Sequence, residues 1–296
     1  MMNFISHASK MTGRRLPVVR ALLMMSTLFA LSSASAASNF VTPGGSSLVK
    51  TTIELPLQGV TLEYKANVRL LQVLDDANAS SNVNDSSSIG YFPLSAQLFD
   101  KTNTESNKAN EDIEAKKRNV FNQLDAFAVE EPEAKLVKQQ LASFQYLNRV
   151  FIELDRNAVI SQSDKNPLLV SSSYTNKSST SQTQMFSLYL PQRPTSIQLM
   201  GAMKELVTMS LIEHGTLNDY LDALPNGFVG ESADKSVAYV VQSNGVVQTI
   251  QYAYWNEQPV FLAPGAIVFM AFYSLPSEYS TLNQDIVDLL RHKVGL

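Results

Sequence analysis

Residues 237–251, VAYVVQSNGVVQTIQ, decide the fold of this chain. Two runs of β-branched and aromatic residues flank the polar triplet at 243–245, whose glycine can adopt the positive φ of a tight turn. The stretch therefore predicts an antiparallel hairpin. Upstream, the apolar residues of 217–224 recur at i, i+3, i+4 and i+7, which predicts a helix. Thr216 and Asp219 predict a capping box at its start.

Two further strands are predicted before this helix. Met185–Leu190 and Ser196–Met200 have strand patterns and are joined by Pro191–Pro194. Strand, strand, helix, strand, strand is the order of a β-grasp domain. A second unit of this kind is predicted upstream, because Ser47–Tyr64 alternates as a strand pair and Val68–Leu74 begins a short helix.

Several segments, in this order along the chain, resemble the GfcC family. The residues that carry the resemblance are Leu190–Pro194, Ala238–Gly245, Tyr254-Trp255-Asn256, Pro264-Gly265-Ala266 and Leu289-Leu290-Arg291. The resemblance implies a periplasmic protein of capsule or O-antigen capsule export, with domains similar to those of outer-membrane polysaccharide export proteins. It also implies an α+β fold of two β-grasp domains, with a helical-hairpin insertion in the first and a C-terminal amphipathic helix.

The expected domain division has four parts. They are a signal peptide over 1–36, a first β-grasp domain over 37–182 with its insertion at about 95–150, a second β-grasp domain over 183–276, and a C-terminal helix over 277–296. Apolar residues share one helical face over 113–127 and another over 137–147, which predicts the helical hairpin independently. The apolar stripe of the last helix predicts docking on the protein's own domains.

The polar runs of the chain are interpreted as connections. Asn78–Ser88 is predicted to be a loop, and Ser171–Gln184 is interpreted as the boundary between the domains. Val150–Leu154 is predicted to be the strand that re-enters the first sheet after the helical insertion.

The N-terminal residues predict export. Four basic residues precede the apolar run Ala21–Leu31, and Ala34-Ser35-Ala36 supplies small residues for cleavage. A run of about eleven residues is too short to cross a hydrocarbon core of roughly 30 Å as a helix. No cysteine follows the run, which excludes a lipoprotein anchor. We therefore expect a periplasmic protein, soluble after cleavage and without a transmembrane segment.

Composition argues against several function classes. Loss of residues 1–36 leaves 19 basic against 27 acidic residues, a net charge of −8 that disfavours nucleic acid as a partner. The chain has no cysteine, so it can form no disulfide and no thiolate site. His214 and His292 lack neighbours at metal-ligand spacing, and no glycine-rich phosphate loop occurs, so no metal and no cofactor are predicted. His292 is expected to complement a helix dipole.

Arg149 is the first candidate site residue. In the GfcC family, an arginine between the helical insertion and the next strand is implied to be a functional position in a cleft. Here Asn148 replaces the family's usual glycine before it, and asparagine can adopt the left-handed conformation of a turn. Arg149 either fixes the turn through carbonyls or Asp155, or contacts a ligand such as an anionic sugar. The cleft is expected between the first sheet and the helical insertion.

Aromatic residues form the second candidate site. Tyr252, Tyr254 and Trp255 offer ring faces that suit the apolar side of a sugar. In a strand, Tyr254 and Trp255 point to opposite faces, so at least one of them is expected in the core.

These features predict an accessory protein in the assembly or export of a surface polysaccharide. The expected partners are the polysaccharide, the outer-membrane polysaccharide export machinery, or both. Two alternatives stay open: a polysaccharide-modifying enzyme that uses Arg149 and carboxylates, and a purely structural envelope adaptor. Turnover of purified glycan would favour the enzyme, whereas co-purification with envelope proteins alone would favour the adaptor.

Signal-peptide cleavage gives the first testable prediction. We expect a mature chain that begins near Ala37 and is released by osmotic shock, checked by N-terminal sequencing and cell fractionation. Ala36→Arg should stay uncleaved, because signal peptidase requires a small residue there. Recovery of the natural chain in the outer-membrane pellet after a high-salt wash would contradict the prediction.

Overall fold

The computed structural model describes residues 50–81, 90–102, 108–172, 183–258 and 260–295, without the side chains of residues 81 and 108–110. The predicted signal peptide lies outside these residues, and so do positions 173–182 of the predicted domain boundary. Two five-stranded sheets form the framework of the described part.

The first domain is built on one mixed sheet. Its elements in chain order are β1 (Lys50–Leu55), β2 (Val60–Tyr64), α1 (Leu70–Ser81), β3 (Gln97–Asp100), α2 (Lys108–Phe127), α3 (Glu133–Ala142), β4 (Asn148–Val150), α4 (Arg156–Ser161) and β5 (Thr183–Tyr189). The strand order is β2-β1-β5-β3-β4, in which β1 and β5 are parallel and the other pairs antiparallel. Ile53, Leu98 and Phe186 form the core of this sheet with Leu70 and Leu74 of α1.

The second domain repeats this plan. Its elements are β6 (Ser196–Gly201), β7 (Val207–Ser210), α5 (Leu217–Asp222), β8 (Val237–Val241), β9 (Val247–Gln251) and β10 (Ile267–Met270), followed by α6 (Leu282–Leu290). The predicted hairpin is confirmed by the pairing of β8 with β9 around Gly245, which has a φ of 84°. The capping box is confirmed too, since the Thr216 N–H donates to the Asp219 carboxylate at 2.6 Å.

The two sheets have the same topology. The second has the order β7-β6-β10-β8-β9, so β6, β7, β8, β9 and β10 correspond to β1, β2, β3, β4 and β5. The central pair, β6 with β10, is parallel, like β1 with β5. This duplication agrees with the predicted two β-grasp domains. The hairpin of α2 and α3 stands between β3 and β4, where the second domain has the tight turn at 243–245.

The assignment of Met185–Leu190 to the second domain was wrong. These residues belong mainly to β5, which pairs with β1 and β3 in the first sheet. Phe186 and Leu188 are buried in the first core, so this strand completes that sheet. Pro191–Pro194 therefore links the two sheets and is not a hairpin turn. The antiparallel partner of β6 is β7, which the sequence analysis did not assign.

Three local predictions also need correction. The strand after the insertion is Asn148–Val150, not 150–154. Asn148 pairs with Asp100 in extended conformation, so it does not occupy a left-handed turn. Helix α1 continues through Ser81 into the predicted loop at 78–88. Its Ser80 hydroxyl donates to the Asp76 carbonyl, which satisfies the polar side chain within the helix.

The second sheet is buried on both faces. Leu199, Val240 and Val268 pack with Tyr220 of α5 on one face. Residues of the other face pack against α2, α3 and α6 in a separate core; among them are Met200, Val241, Ile267, Phe269, Val120, Leu124, Val137, Leu141, Ile286 and Leu289. The structure thus docks the C-terminal helix on the protein's own domains, as the sequence predicted. Within the described residues, no helix combines the length and hydropathy needed to cross a membrane.

Gln140 of α3 clamps the insertion onto the second sheet. Its side chain is buried, its Oε1 accepts from the Gly201 N–H at 2.8 Å, and its Nε2 donates to the Gly201 carbonyl at 3.1 Å. Gly201 has a φ of 114°, a backbone conformation that residues other than glycine avoid. A Cβ at this position would lie 2.3 Å from the Met270 carbonyl oxygen.

Gly201→Ala is expected to destabilise the protein by more than about 2 kcal/mol, because the new methyl group meets backbone and the φ is unfavourable. Urea unfolding monitored by circular dichroism measures the change. Gly90→Ala is the matched control, since no atom lies within 4 Å of a Cβ built there. Equal stability of the two variants would contradict the prediction.

Candidate functional site

A pocket of about 510 Å³ lies where the two domains meet. Its walls are the turn at 93–96, Arg149 with the following residues to Asp155, and Asn244 from the β8–β9 turn. The cleft was expected between the first sheet and the helical insertion, and this was wrong. The insertion packs its apolar faces on the second sheet and contributes no residue to the lining, whereas the second domain contributes Asn244.

Arg149 lies in β4 and is 7% exposed. Its Nη2 donates to the Ser243 carbonyl at 2.8 Å and to the Ala96 carbonyl at 3.5 Å, and its Nη1 donates to the Arg291 carbonyl at 3.5 Å. These carbonyls belong to the β8–β9 turn, to the turn just before β3 and to the residue that follows α6. One guanidinium therefore joins three parts of the fold.

No carboxylate lies within ion-pair distance of Arg149 in the part of the chain that the structure describes. Burial, together with the like charge of Arg291, lowers the pKa of Arg149 to about 10. The side chain is still a cation at neutral pH. Three carbonyl dipoles hold it, while a guanidinium has five N–H donors. The pocket therefore contains a buried positive charge with unused capacity for hydrogen bonds.

Phe151 provides an apolar surface beside this charge. It is 43% exposed, and its ring centroid lies 4.4 Å from the Arg291 Cζ and 5.6 Å from the Arg149 Cζ. Two guanidinium groups thus flank one ring, an arrangement favoured by the ring quadrupole. Sequence reasoning did not identify Phe151, Arg291 or Asn244 as site residues. No local pattern connects them, since they come from segments about 50 to 140 residues apart.

Asp155 lines the same pocket but does not bind Arg149. Its Oδ1 accepts from the Asn157 N–H at 2.9 Å and caps the start of α4. Neighbouring Glu153 accepts from the Asp155 N–H at 3.0 Å and pairs with Lys165 at 3.2 Å. The backbone hydrogen bond from Asp155 holds the pKa of Glu153 below its usual range. Both carboxylates of the pocket are therefore engaged within the first domain.

The aromatic candidates lie elsewhere. Strand β9 ends at Gln251, and beyond it Tyr254 and Trp255 are 97% and 75% exposed. The expectation that one of them enters the core was wrong, because side-chain alternation holds only within a strand. Tyr252 is the buried member, and its hydroxyl donates to the Asp234 carbonyl. The structure thus brings Arg149 and Asp155 to one pocket but does not place Tyr254 or Trp255 in its lining.

His292 supports the backbone of Arg149. Its Nδ1 lies 3.2 Å from the Arg149 backbone nitrogen, which donates to it. Burial is the main reason that the pKa of His292 falls to about 4, with the charge of Lys116 contributing. The ring is therefore neutral at neutral pH, so the expected role with the helix dipole was wrong. Next to it, Lys293 is 5% exposed, and burial lowers its pKa to about 8.

The residues after α6 are fixed to the first domain by backbone hydrogen bonds. The Leu147 N–H donates to the His292 carbonyl at 3.1 Å, and the Val294 N–H donates to the Gln145 carbonyl at 2.9 Å. The Gly295 N–H donates to the Gln97 Oε1 at 2.9 Å. These bonds pair the chain end with the segment that leads into β4. Across the described ranges, no cluster of three His, Asp or Glu side chains could hold a metal ion.

Residues 205–295 match the family model described as Capsule biosynthesis GfcC C-terminal. The matched region runs from just before β7 through α6 to the paired chain end. It includes Asn244 and Arg291, which the second domain and α6 bring to the pocket. The match confirms the resemblance found in the sequence.

The neutral state of His292 predicts a pH-dependent stability. The unfolded chain binds a proton near pH 6.5, whereas the folded chain does so only near pH 4. The contribution of neutral His292 to the free energy of unfolding is therefore fully present above about pH 6.5 and is lost as the pH falls toward 4. Between pH 7 and pH 5 the loss is at most about 2 kcal/mol.

His292→Asn should flatten this dependence, because an amide oxygen can accept from Arg149 but does not titrate. The measurement is the free energy of unfolding in urea at pH 7 and pH 5. His214→Asn is the control, since the His214 side chain is 84% exposed. If His292→Asn keeps the full pH slope of the natural chain, the assignment of a buried neutral imidazole fails.

Proposed function

We propose that this chain, a member of the GfcC capsule biosynthesis family, is a periplasmic accessory protein that binds an anionic segment of a surface polysaccharide during its assembly or export. The single observation that carries the proposal is Arg149, a buried guanidinium at a pocket between two domains, held by carbonyls without a carboxylate partner among the described residues. The family description names capsule biosynthesis, which supplies the class of pathway.

The chemistry of the pocket supports an anionic sugar as the ligand. A uronic acid or similar residue presents a carboxylate, which a guanidinium binds with directed hydrogen bonds. The ring of Phe151 can cover the apolar face of a pyranose, and the Asn244 amide offers donors and an acceptor for hydroxyl groups. Arg291 adds a second positive charge.

The pocket carboxylates favour binding over acid catalysis. A general acid at neutral pH needs a raised pKa, which isolation in an apolar environment provides. Glu153 has the reverse arrangement, because a backbone N–H and Lys165 stabilise its ionised form. Asp155 is committed to the cap of α4.

Exposed aromatic side chains support the adaptor as a second candidate function. Tyr254 and Trp255 project from the loop after β9 with little contact to the rest of the chain. Large exposed aromatic side chains are enriched at protein interfaces. On this alternative, the loop docks on a component of the export machinery. Trp255→Ala should then weaken co-purification with envelope proteins without changing glycan binding.

Arg149→Lys tests the proposed site. Lysine keeps the charge but loses the planar fork, so we expect a folded protein that no longer restores surface polysaccharide in a deletion strain. Arg149→Ala should also lose stability, by about 2 kcal/mol or more, because three buried carbonyls lose their donor. Staining of surface polysaccharide and thermal unfolding are measured on the same variants.

Arg69→Lys is the matched control, since Arg69 also donates to a carbonyl, that of Asn166 at 2.9 Å, and lies outside the pocket lining. It should restore surface polysaccharide fully. Full complementation by both Arg149 variants, or a loss of function only in proportion to lost stability, would show that Arg149 is structural and that the site is wrong.

A further inference from the structure

A second pocket, of about 570 Å³, lies in the second domain. Three loops at one end of the second sheet line it: residues 193–195 before β6, 211–215 after β7 and 261–264 before β10. Neither the sequence analysis nor the family match assigns a role to these loops.

Hydrogen bonds to buried or neighbouring groups fix all three loops. The Ile212 N–H donates to the hydroxyl of fully buried Tyr220 at 2.8 Å. The Ala263 N–H donates to the Gln242 Oε1 at 3.1 Å. The Leu211 N–H donates to the Thr195 carbonyl at 2.8 Å, which joins the first loop to the second. The loops that line the pocket are therefore fixed by the fold itself.

The lining combines an exposed ring with polar groups of both charges. Phe261 is 63% exposed, and the His214 ring stands edge-on to it at 6.4 Å. The Arg193 guanidinium is held 5.7 Å from the Phe92 ring centroid, and the Glu213 carboxylate is exposed at the rim. An aromatic face bordered by a guanidinium, an imidazole and a carboxylate suits a pyranose ring and its hydroxyl groups.

The backbone at this pocket is strained. Among the described residues other than glycine, His214 alone has a positive φ, 59°. Such a conformation costs energy and persists only where the surrounding structure imposes it. Here the Gly215 N–H closes the turn on the Ile212 carbonyl at 3.1 Å, and the strained residue presents its side chain to solvent at the pocket rim.

Buried Ser243 links a lining residue of one pocket to a lining residue of the other. Its carbonyl accepts from Arg149 at the first pocket, and its hydroxyl donates to the carbonyl of Pro264 at the second. On the other side, Phe92 lies under Arg193 and directly precedes Pro93 in the wall of the first pocket. The two cavities are therefore neighbours along the junction of the domains.

We propose that the two pockets are adjacent subsites of one groove that binds consecutive sugar residues of a glycan chain, with a pyranose ring stacked on Phe261 in the second subsite. This inference rests on the proposed function of the Arg149 pocket and deepens it by naming a second subsite for a neighbouring sugar of the same segment. Filling two linked subsites strengthens binding without new contacts at the first. Affinity must therefore rise with oligosaccharide length until both subsites are occupied.

Calorimetric titration with oligosaccharides of graded length tests the inference. The probes are fragments released by partial acid hydrolysis from the surface polysaccharide of the strain that encodes this chain. For the natural chain, Kd should fall as the fragments lengthen. In Phe261→Ala the shortest fragments that bind should keep their Kd, while the longest fragment should bind roughly tenfold more weakly.

Tyr273→Ala is the matched control, because the aromatic residue Tyr273 is 72% exposed and lies outside both pocket linings. It should reproduce the length dependence of the natural chain. If Phe261→Ala fails to fold, Phe261→Leu keeps apolar bulk without an aromatic face and should show the same loss for long fragments.

The outcomes separate this inference from the proposed function. If Phe261→Ala keeps the length dependence of the natural chain while Arg149→Lys loses binding, the two-subsite groove is wrong and the proposed Arg149 site is supported. Binding that depends on Phe261 but not on Arg149 overturns the proposed Arg149 site and the two-subsite groove with it. Absence of binding by the natural chain at every length overturns the proposed glycan-binding function.

Discussion

The second sheet is apolar on both faces, and its own helix can cover only one of them. All four residues of β10 are buried, and α5 is six residues long. The remaining face would expose a large apolar surface to water, at a cost of about 25 cal/mol for each Å². Helices α2 and α3 from the first domain and α6 from the chain end supply the missing cover. The two domains are thus held together by the need to bury one sheet face.

This constraint also determines where the pocket forms. The helical hairpin occupies the place of a tight turn between β3 and β4, so the chain leaves the first sheet, covers the second and returns. The returning strand, β4, carries Arg149 into the angle between the first sheet and the β8–β9 turn. The chain end beyond α6 then pairs with the segment before β4. Arg149, Asn244 and Arg291 meet because three separate segments converge on this junction.

The electrostatics of the junction follow from its burial. Arg149, His292 and Lys293 all have lowered pKa values, with desolvation as the largest cause in each case. The protein keeps the arginine charged by surrounding it with carbonyl oxygens and keeps the histidine neutral as an acceptor for the Arg149 backbone. The carbonyls in turn depend on the guanidinium, because a buried acceptor that loses its donor destabilises the fold. The fixed positive charge beside an open pocket is the observation on which the proposed binding role rests.

Local sequence signals determined much of the secondary structure of this protein. The hairpin around Gly245, the capped helix α5, the helical hairpin and the amphipathic α6 depend on turn chemistry and periodicity, which act over a few residues. The family resemblance and the position of Arg149 could likewise be identified from the sequence. Strand partners could not be identified in this way, because pairing depends on contacts between distant segments. Strand β5 carries a strand pattern, but only the core at Phe186 and Leu188 places it in the first sheet.

The same limit applies to the residues of the candidate site. The carbonyls that hold Arg149, the rings of Phe151 and Phe261, and the link through Ser243 come from segments separated by up to about 140 residues, so tertiary packing alone brought them together.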